Sequence, residues 1–290
     1  MKQTLYISMG IFGTILLILF LLPSKDEQVE QAVQRVIQYG FEIRNSSNTL
    51  AKDVDFWTYA PVKRTSSQKL ERLTVSYPHE LIEDKLGNQI VHIHFEFIPP
   101  FSSKIVNVQA ELMMSDELYG IDLKDQSLYL AAEKFIEVNH PDIQKAAKAF
   151  SGHHLSDVKS IYQWVANHVQ GVAYVREDRG ALYALNHKSG DCTEYAYLFT
   201  AMCRAKGVPS RVLGGYVMAE NGKLSAESYH NWSEFYYAGV WNVSDPQMKV
   251  FMEHPSRFVT MNIISSDNEN PMREFQRFRI QGDNISVIIQ

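Results

Sequence analysis

Residues 188–211, KSGDCTEYAYLFTAMCRAKGVPSR, decide how the rest of the chain is read. Asp191, Cys192, Thr193 and Glu194 fit a capping box, in which an aspartate accepts from early helix N–H groups and a glutamate three residues on reaches back. The helix is expected to run to about Lys206, where Gly207 and Pro209 provide the stop. Cys192 then occupies the first turn, where the partial positive charge of a helix N-terminus favours thiolate over thiol. The chain has one other cysteine, Cys203. Eleven residues of helix would hold the two about 16 Å apart, whereas bridged Cα atoms lie within about 7 Å. They are therefore not expected to pair, and Cys203, on the face of Ala196 and Phe199, reads as core.

A thiolate alone is half of an acyl-transfer catalyst; the other half is a base that takes and returns a proton. The segment YHNWSEFYYAGVWNVSDPQ, residues 229–247, supplies one. His230, Trp232, Glu234 and Tyr236 alternate with Asn231, Ser233, Phe235 and Tyr237, the period of a strand. Ala238-Gly239 reads as a two-residue hairpin loop, and VWNVSD as the returning strand. With that loop Trp232 faces Asp245, and His230 becomes the diagonal neighbour of Asp245 on the same side. Diagonal Cβ atoms lie about 7 to 8 Å apart, a gap that a histidine and an aspartate can bridge. A three-residue loop would reverse the parity. In the resulting reading Cys192 is the nucleophile, His230 the base and Asp245 its orienting partner, with the Cys192 N–H as one oxyanion donor and the second unassigned.

These residues resemble the transglutaminase-like superfamily, a branch of the papain-like cysteine enzymes. The resemblance is carried by GDCTEYAYLFTAMCRAKGVPSRVLGGY and HNWSEFYYAGVWNVSDP, and together with the upstream helix IYQWVANHVQGVAY it covers residues 156–246. It implies Cys192, His230 and Asp245 as the catalytic triad, and an α+β fold in which a Cys-bearing helix packs on an antiparallel sheet carrying His and Asp. The β-rich region before it looks like the accessory sandwich of some bacterial members. Members include cross-linking transferases, peptidases, deglycosylases and binding-only forms, so the resemblance implies a protein or peptide substrate and leaves amine transfer, hydrolysis and a non-catalytic module open. No cofactor is implied, and no Asp-rich loop suggests calcium.

The remaining chain sets the context. Residues 4–22, TLYISMGIFGTILLILFLL, form an uncharged apolar run long enough to span a bilayer. Without a small-x-small cleavage signature, residues 1–24 read as an uncleaved signal anchor, predicting a single-pass protein of the cell membrane with its bulk extracytoplasmic. Residues 25–120 read as a juxtamembrane helix, with Val29, Ala32, Val33, Val36 and Ile37 on one face and Gly40 at its end, followed by a β-sandwich-like region. QIVHIHFEFI and SKIVNVQAELMM alternate apolar and polar residues as half-buried strands. His92 and His94, alone on one strand, lack the further ligands a metal site needs.

Residues 121–290 are assigned to the core plus a C-terminal strand extension. SDVKSIYQWVANHVQG reads as a helix burying Val158, Ile161, Tyr162, Val165 and Val169, and SGHHLSD before it as a solvated turn. Trp232 and Tyr174 are candidate substrate contacts, although strand aromatics such as Trp232 and Trp241 are more often core. Glu234 is a candidate for tuning His230. A net charge of -5 over 290 residues gives no electrostatic footprint for nucleic acid.

Overall fold

The computed structural model describes residues 32–152, 154–266 and 269–290. The apolar run of residues 4–22 and the signal-anchor assignment lie outside these residues, and so does His153. Among the described residues no helix is long and apolar enough to cross a membrane.

Six strands come first: β1 (Val33–Asn45), β2 (Ala51–Ala60), β3 (Gln68–Val75), β4 (Glu80–Glu83), β5 (Gln89–Ile98) and β6 (Ser102–Met114). From Val33 on, β1 corrects the helix expected up to Gly40, and the part of that expected helix before residue 32 lies outside the described residues. Its buried residues include Ile37, Tyr39, Phe41 and Ile43, a period of two that begins inside the supposed helix and continues beyond Gly40. Pairing with β6 along the whole of β1 decides the matter, because a local helical spacing of five apolar residues cannot compete with a full antiparallel ladder. β5 and β6 form as expected. They bury Val91, Ile93 and Phe95, and Val106, Val108, Ala110 and Leu112, while Phe97 at the end of its strand is exposed.

The helical part follows: α1 (Pro141–Lys148), α2 (His154–His168), the short strand β7 (Gln170–Gly171), α3 (Ala181–His187), β8 (Ser189–Gly190) and α4 (Cys192–Ala205). α2 begins two residues before Ser156, so His154 belongs to the helix and not to a solvated turn. Next come β9 (Ser210–Val217), β10 (Gly222–Lys223), β11 (Tyr229–Tyr237), β12 (Val240–Asp245), β13 (Val250–Phe251) and β14 (Phe258–Ile264). The chain ends in β15 (Phe278–Gln281) and β16 (Ile285–Ile289).

Two sheets make the sandwich. One has the order β10-β1-β6-β3 with β16 also on β1, and the other the order β15-β2-β5-β4. The last two strands thus return to the beginning of the chain, one to each sheet. The third sheet, β13-β12-β11-β9-β14, carries α4 on its face.

α4 is buried from Thr193 to Arg204, so its polar residues need partners inside the protein. Arg204 pairs with Glu133 at 2.7 Å and donates to the Ser210 carbonyl at 2.9 Å. Ser233 of β11 donates to the Ala196 carbonyl at 3.0 Å and accepts from Thr200 at 3.1 Å. These bonds fix the helix against β11 in both rotation and slide.

Two buried amides join sandwich and core along β14. Asn88 donates to the Ile263 carbonyl at 2.9 Å and accepts from the Ile263 N–H at 2.6 Å. Gln68 does the same at Thr260, donating at 3.1 Å and accepting at 2.8 Å. Each side chain takes the place of a missing neighbouring strand, which satisfies the edge of the sheet without extending it.

Candidate active site

The capping box is present. Asp191 accepts from the Thr193 N–H at 3.0 Å, and Glu194 accepts from the Asp191 N–H at 3.0 Å. Both carboxylates also hold the preceding loop. Asp191 takes the Val175 N–H at 2.9 Å, while Glu194 takes the Arg179 N–H at 3.1 Å and its guanidinium at 2.6 Å. Glu194 is buried and requires that partner. Cys192 is the first residue of α4, half-buried, and its N–H is among those that a helix start leaves without a helical acceptor.

The hairpin has the two-residue loop. Tyr237 pairs with Val240 and Ser233 with Ser244, and Ala238 and Gly239 both take positive φ, 53° and 83°, the primed turn that suits the twist of a strand pair. The register brings His230 to Asp245, with Nε2 to Oδ2 at 2.6 Å. Asp245 is held from behind, its other oxygen accepting from the N–H groups of Gln247 at 3.1 Å and Met248 at 3.0 Å.

Cys192 is close enough to His230 to favour the charged form of the imidazole. With Nε2 on Asp245, Nδ1 is the ring nitrogen left for the thiol. Burial disfavours the imidazolium, but the hydrogen bonds and negative charges of Asp245 and Cys192 outweigh it and push the imidazole up to about 10. Cys203 differs in every respect: it is fully buried, and burial pushes its thiol up. Both cysteines are free.

The other sequence candidates separate. Trp232 is fully buried, among Leu213, Val243 and Phe258, so it does not line a cleft. Its ring lies 6.5 Å from that of His230 with the planes 18° apart, backing the imidazole. Trp241 is core as well. Tyr174 is 73% exposed, next to the Val175 N–H that Asp191 holds. Glu234 does not act on His230, because Arg211 takes its carboxylate at 2.6 Å in a buried pair stacked on Trp241. His92 and His94 both bond Asp55, at 2.8 and 3.0 Å, on the sandwich surface. Among the described residues no cluster is arranged to hold a metal ion.

Sequence reasoning missed a polar chain beside Cys192. Asn231 donates to Thr193 at 3.0 Å and to Gln276 at 3.2 Å, and Gln276 donates to Asp178 at 3.4 Å. Burial raises the Asp178 carboxyl, and the negative charges of Glu194 and Asp191 add to this against a bond from Tyr197. Tyr229 donates to Asn262 at 3.0 Å. A side chain at Gly214 would collide with that tyrosine hydroxyl, and one at Gly215 with the Val259 carbonyl. The Gly214-Gly215 pair inside a strand was the one local signal of such close approach. Gln276 has none, being 45 residues from Asn231 in sequence.

Residues 143–246 match the transglutaminase-like superfamily core. Over 100 residues the chain is 32% identical to human kyphoscoliosis peptidase, a match that takes in 31% of this chain and 15% of the human protein. The fold is similar to that of a "putative cysteine protease" from Cytophaga hutchinsonii, with a TM-score of 0.58 and 17% identity over 89% of this chain and 92% of that one.

Proposed function

Because residues 143–246 belong to the transglutaminase-like superfamily, we propose that the protein is a cysteine acyl-transfer enzyme acting on a protein or peptide amide through an acyl-enzyme on Cys192. The observation that carries this reading is His230, held by Asp245 at Nε2 with an imidazole raised to about 10 by Asp245 and by Cys192, which stands at the start of α4.

The chemistry follows from that order. The Cys192 proton resides on His230, and the sulfur attacks the amide carbonyl to form a C–S bond. The tetrahedral oxyanion faces the free N–H of the helix start. As the C–N bond breaks, His230 gives its proton to the departing nitrogen, leaving a thioester and a neutral imidazole. An incoming amine or water then loses a proton to His230 as it attacks, and the thiolate leaves. Asp245 stabilises the imidazolium in both halves. With an amine the product is a cross-link, with water a carboxylic acid. The peptidase name of the human relative supports water as one acceptor.

In the same proposal the apolar run of residues 4–22 tethers the enzyme to the cell membrane with the site on the extracytoplasmic side.

The test is iodoacetamide labelling of the full-length, detergent-solubilised chain at pH 7, read by peptide mass. Cys192 should label, Cys203 should stay silent, and His230→Ala should slow Cys192 by at least about 10-fold. Equal rates in wild type and His230→Ala would mean that the pair does not activate the thiol.

A further inference from the structure

The first turn of α4 is enclosed by a ring of side-chain hydrogen bonds that begins and ends on the helix. Asn231 donates to Thr193 at 3.0 Å and to Gln276 at 3.2 Å, Gln276 donates to Asp178 at 3.4 Å, and Tyr197, one turn after Thr193, donates to Asp178 at 2.9 Å. Three other parts of the chain therefore meet the helix start: the strand that carries His230, the segment after β14, and the loop before α3. Gln276 lies beyond residue 246, where the family match ends.

Every bond in the ring has a direction. A carboxylate only accepts, so Asp178 turns the NH2 group of Gln276 toward itself and leaves Oε1 of Gln276 facing Asn231. That oxygen draws one hydrogen of the Asn231 NH2 group, and the other goes to Thr193. Asn231 is 3% exposed, and its own Oδ1 has no partner among the described residues. A buried carbonyl oxygen left unpaired costs stability, and here it accompanies an amide that commits both hydrogens to the helix start and its neighbour.

Asn231 directly follows His230 in β11, and the hydroxyl it binds belongs to the residue directly after Cys192. Its bond to Thr193 thus joins strand and helix at the level of the reactive pair. The next rung, Ser233 with Ala196 and Thr200, lies further along both elements. Loss of the Asn231 bond leaves that rung to hold α4 on β11, while the end that bears Cys192 and His230 gains freedom. An acyl-transfer pair is sensitive to such freedom, because a displacement of about 1 Å can cost on the order of 100-fold in rate.

We propose that Asn231 is a positioning residue that sets the spacing of Cys192 and His230 through Thr193, and that Gln276 holds Asn231 in the required orientation, so that the C-terminal segment completes the site. The inference rests on Cys192 and His230 being the reactive pair, and it goes beyond that reading by assigning what keeps the two in register.

The test is the pH profile of Cys192 alkylation by iodoacetamide in the full-length, detergent-solubilised chain, read by peptide mass, with the thermal unfolding of each variant recorded beside it. In wild type the rate should rise with an inflection well below the free-thiol value of about 8.5. Asn231→Ala and Gln276→Ala should each slow labelling at pH 7 by about 10-fold and move the inflection up by about one unit. Thr193→Val, which lacks the accepting hydroxyl, should do the same, and Thr193→Ser should recover most of the wild-type profile. Asn231→Ala combined with Thr193→Val should be no worse than either alone, since both remove one bond. A purely structural role would lower the unfolding temperature and leave the inflection in place. An unmoved inflection in Asn231→Ala, equal profiles for Thr193→Val and Thr193→Ser, or additive losses in the double variant would overturn the proposal. Gln276 is half-buried, and an unmoved inflection in Gln276→Ala overturns it even where Asn231→Ala does not fold. Failure of the catalytic reading is seen separately, as a free-thiol inflection in wild type that His230→Ala leaves unchanged.

Discussion

Replacing Asp245 with asparagine keeps the shape of the side chain and changes which nitrogen of His230 carries the proton. One carboxylate oxygen of Asp245 accepts from the N–H groups of Gln247 and Met248, and the other faces Nε2 of His230. In Asp245→Asn the turn demands an acceptor, so the amide oxygen stays there and its NH2 is forced toward the imidazole. Nε2 must then accept, which moves the ring proton to Nδ1, the nitrogen that faces Cys192. A protonated Nδ1 on a neutral ring cannot take the thiol proton.

The magnitude follows from the imidazole, raised to about 10. Against a free histidine near 6.5 that corresponds to about 5 kcal/mol in favour of the charged ring, shared between Asp245 and Cys192. Assigning about half to Asp245 gives roughly 2 to 3 kcal/mol, or on the order of 100-fold in proton affinity. Cys192 alkylation at pH 7 should fall by that order in Asp245→Asn, and nitrogen NMR of His230 should show the doubly protonated wild-type ring replaced by a neutral ring protonated at Nδ1 alone. Wild-type labelling in a variant with unchanged secondary structure would refute the assigned tautomer and with it the role of Asp245.

Two further outcomes are expected. The folded imidazole binds its proton more tightly than an unfolded histidine does, so its contribution to stability is fully present below about pH 6.5 and is lost as pH rises to about 10; the urea midpoint of wild type relative to His230→Gln should decline across that window, and a constant difference would mean the pair does not favour the charged ring. Asn88→Ala removes the side chain that, among the described residues, partners both the N–H and the C=O of Ile263, which should cost about 2 to 4 kcal/mol in chemical denaturation, and a loss below about 1 kcal/mol would show that β14 finds other partners.

Much of the core was readable because its signals are local. A cap residue, a cysteine and a glutamate in sequence mark a helix start; a two-residue loop fixes hairpin parity, and parity places His230 with Asp245. The N-terminal strand was misread because its first residues satisfy a helical spacing, and only the ladder with β6 over long range chooses between the two periods. Trp232 and Glu234 were assigned to the right strand and the wrong surroundings. A strand pattern tells which face a side chain takes, but not whether that face meets solvent, a core or an arginine such as Arg211.

Sequence by itself determined the α4 start, the β11–β12 register and the isolation of Cys203 from Cys192, all of which rest on bonds within a few residues or on one hairpin. Tertiary structure alone decided that the last two strands close the sandwich, that Asn88 and Gln68 cap the edge of the core sheet, and that Gln276 reaches Thr193, next to Cys192, through Asn231. Those contacts join residues from tens to almost 250 positions apart. Which of them forms is set by the packing of two sheets and a buried helix, and no spacing along the chain encodes it.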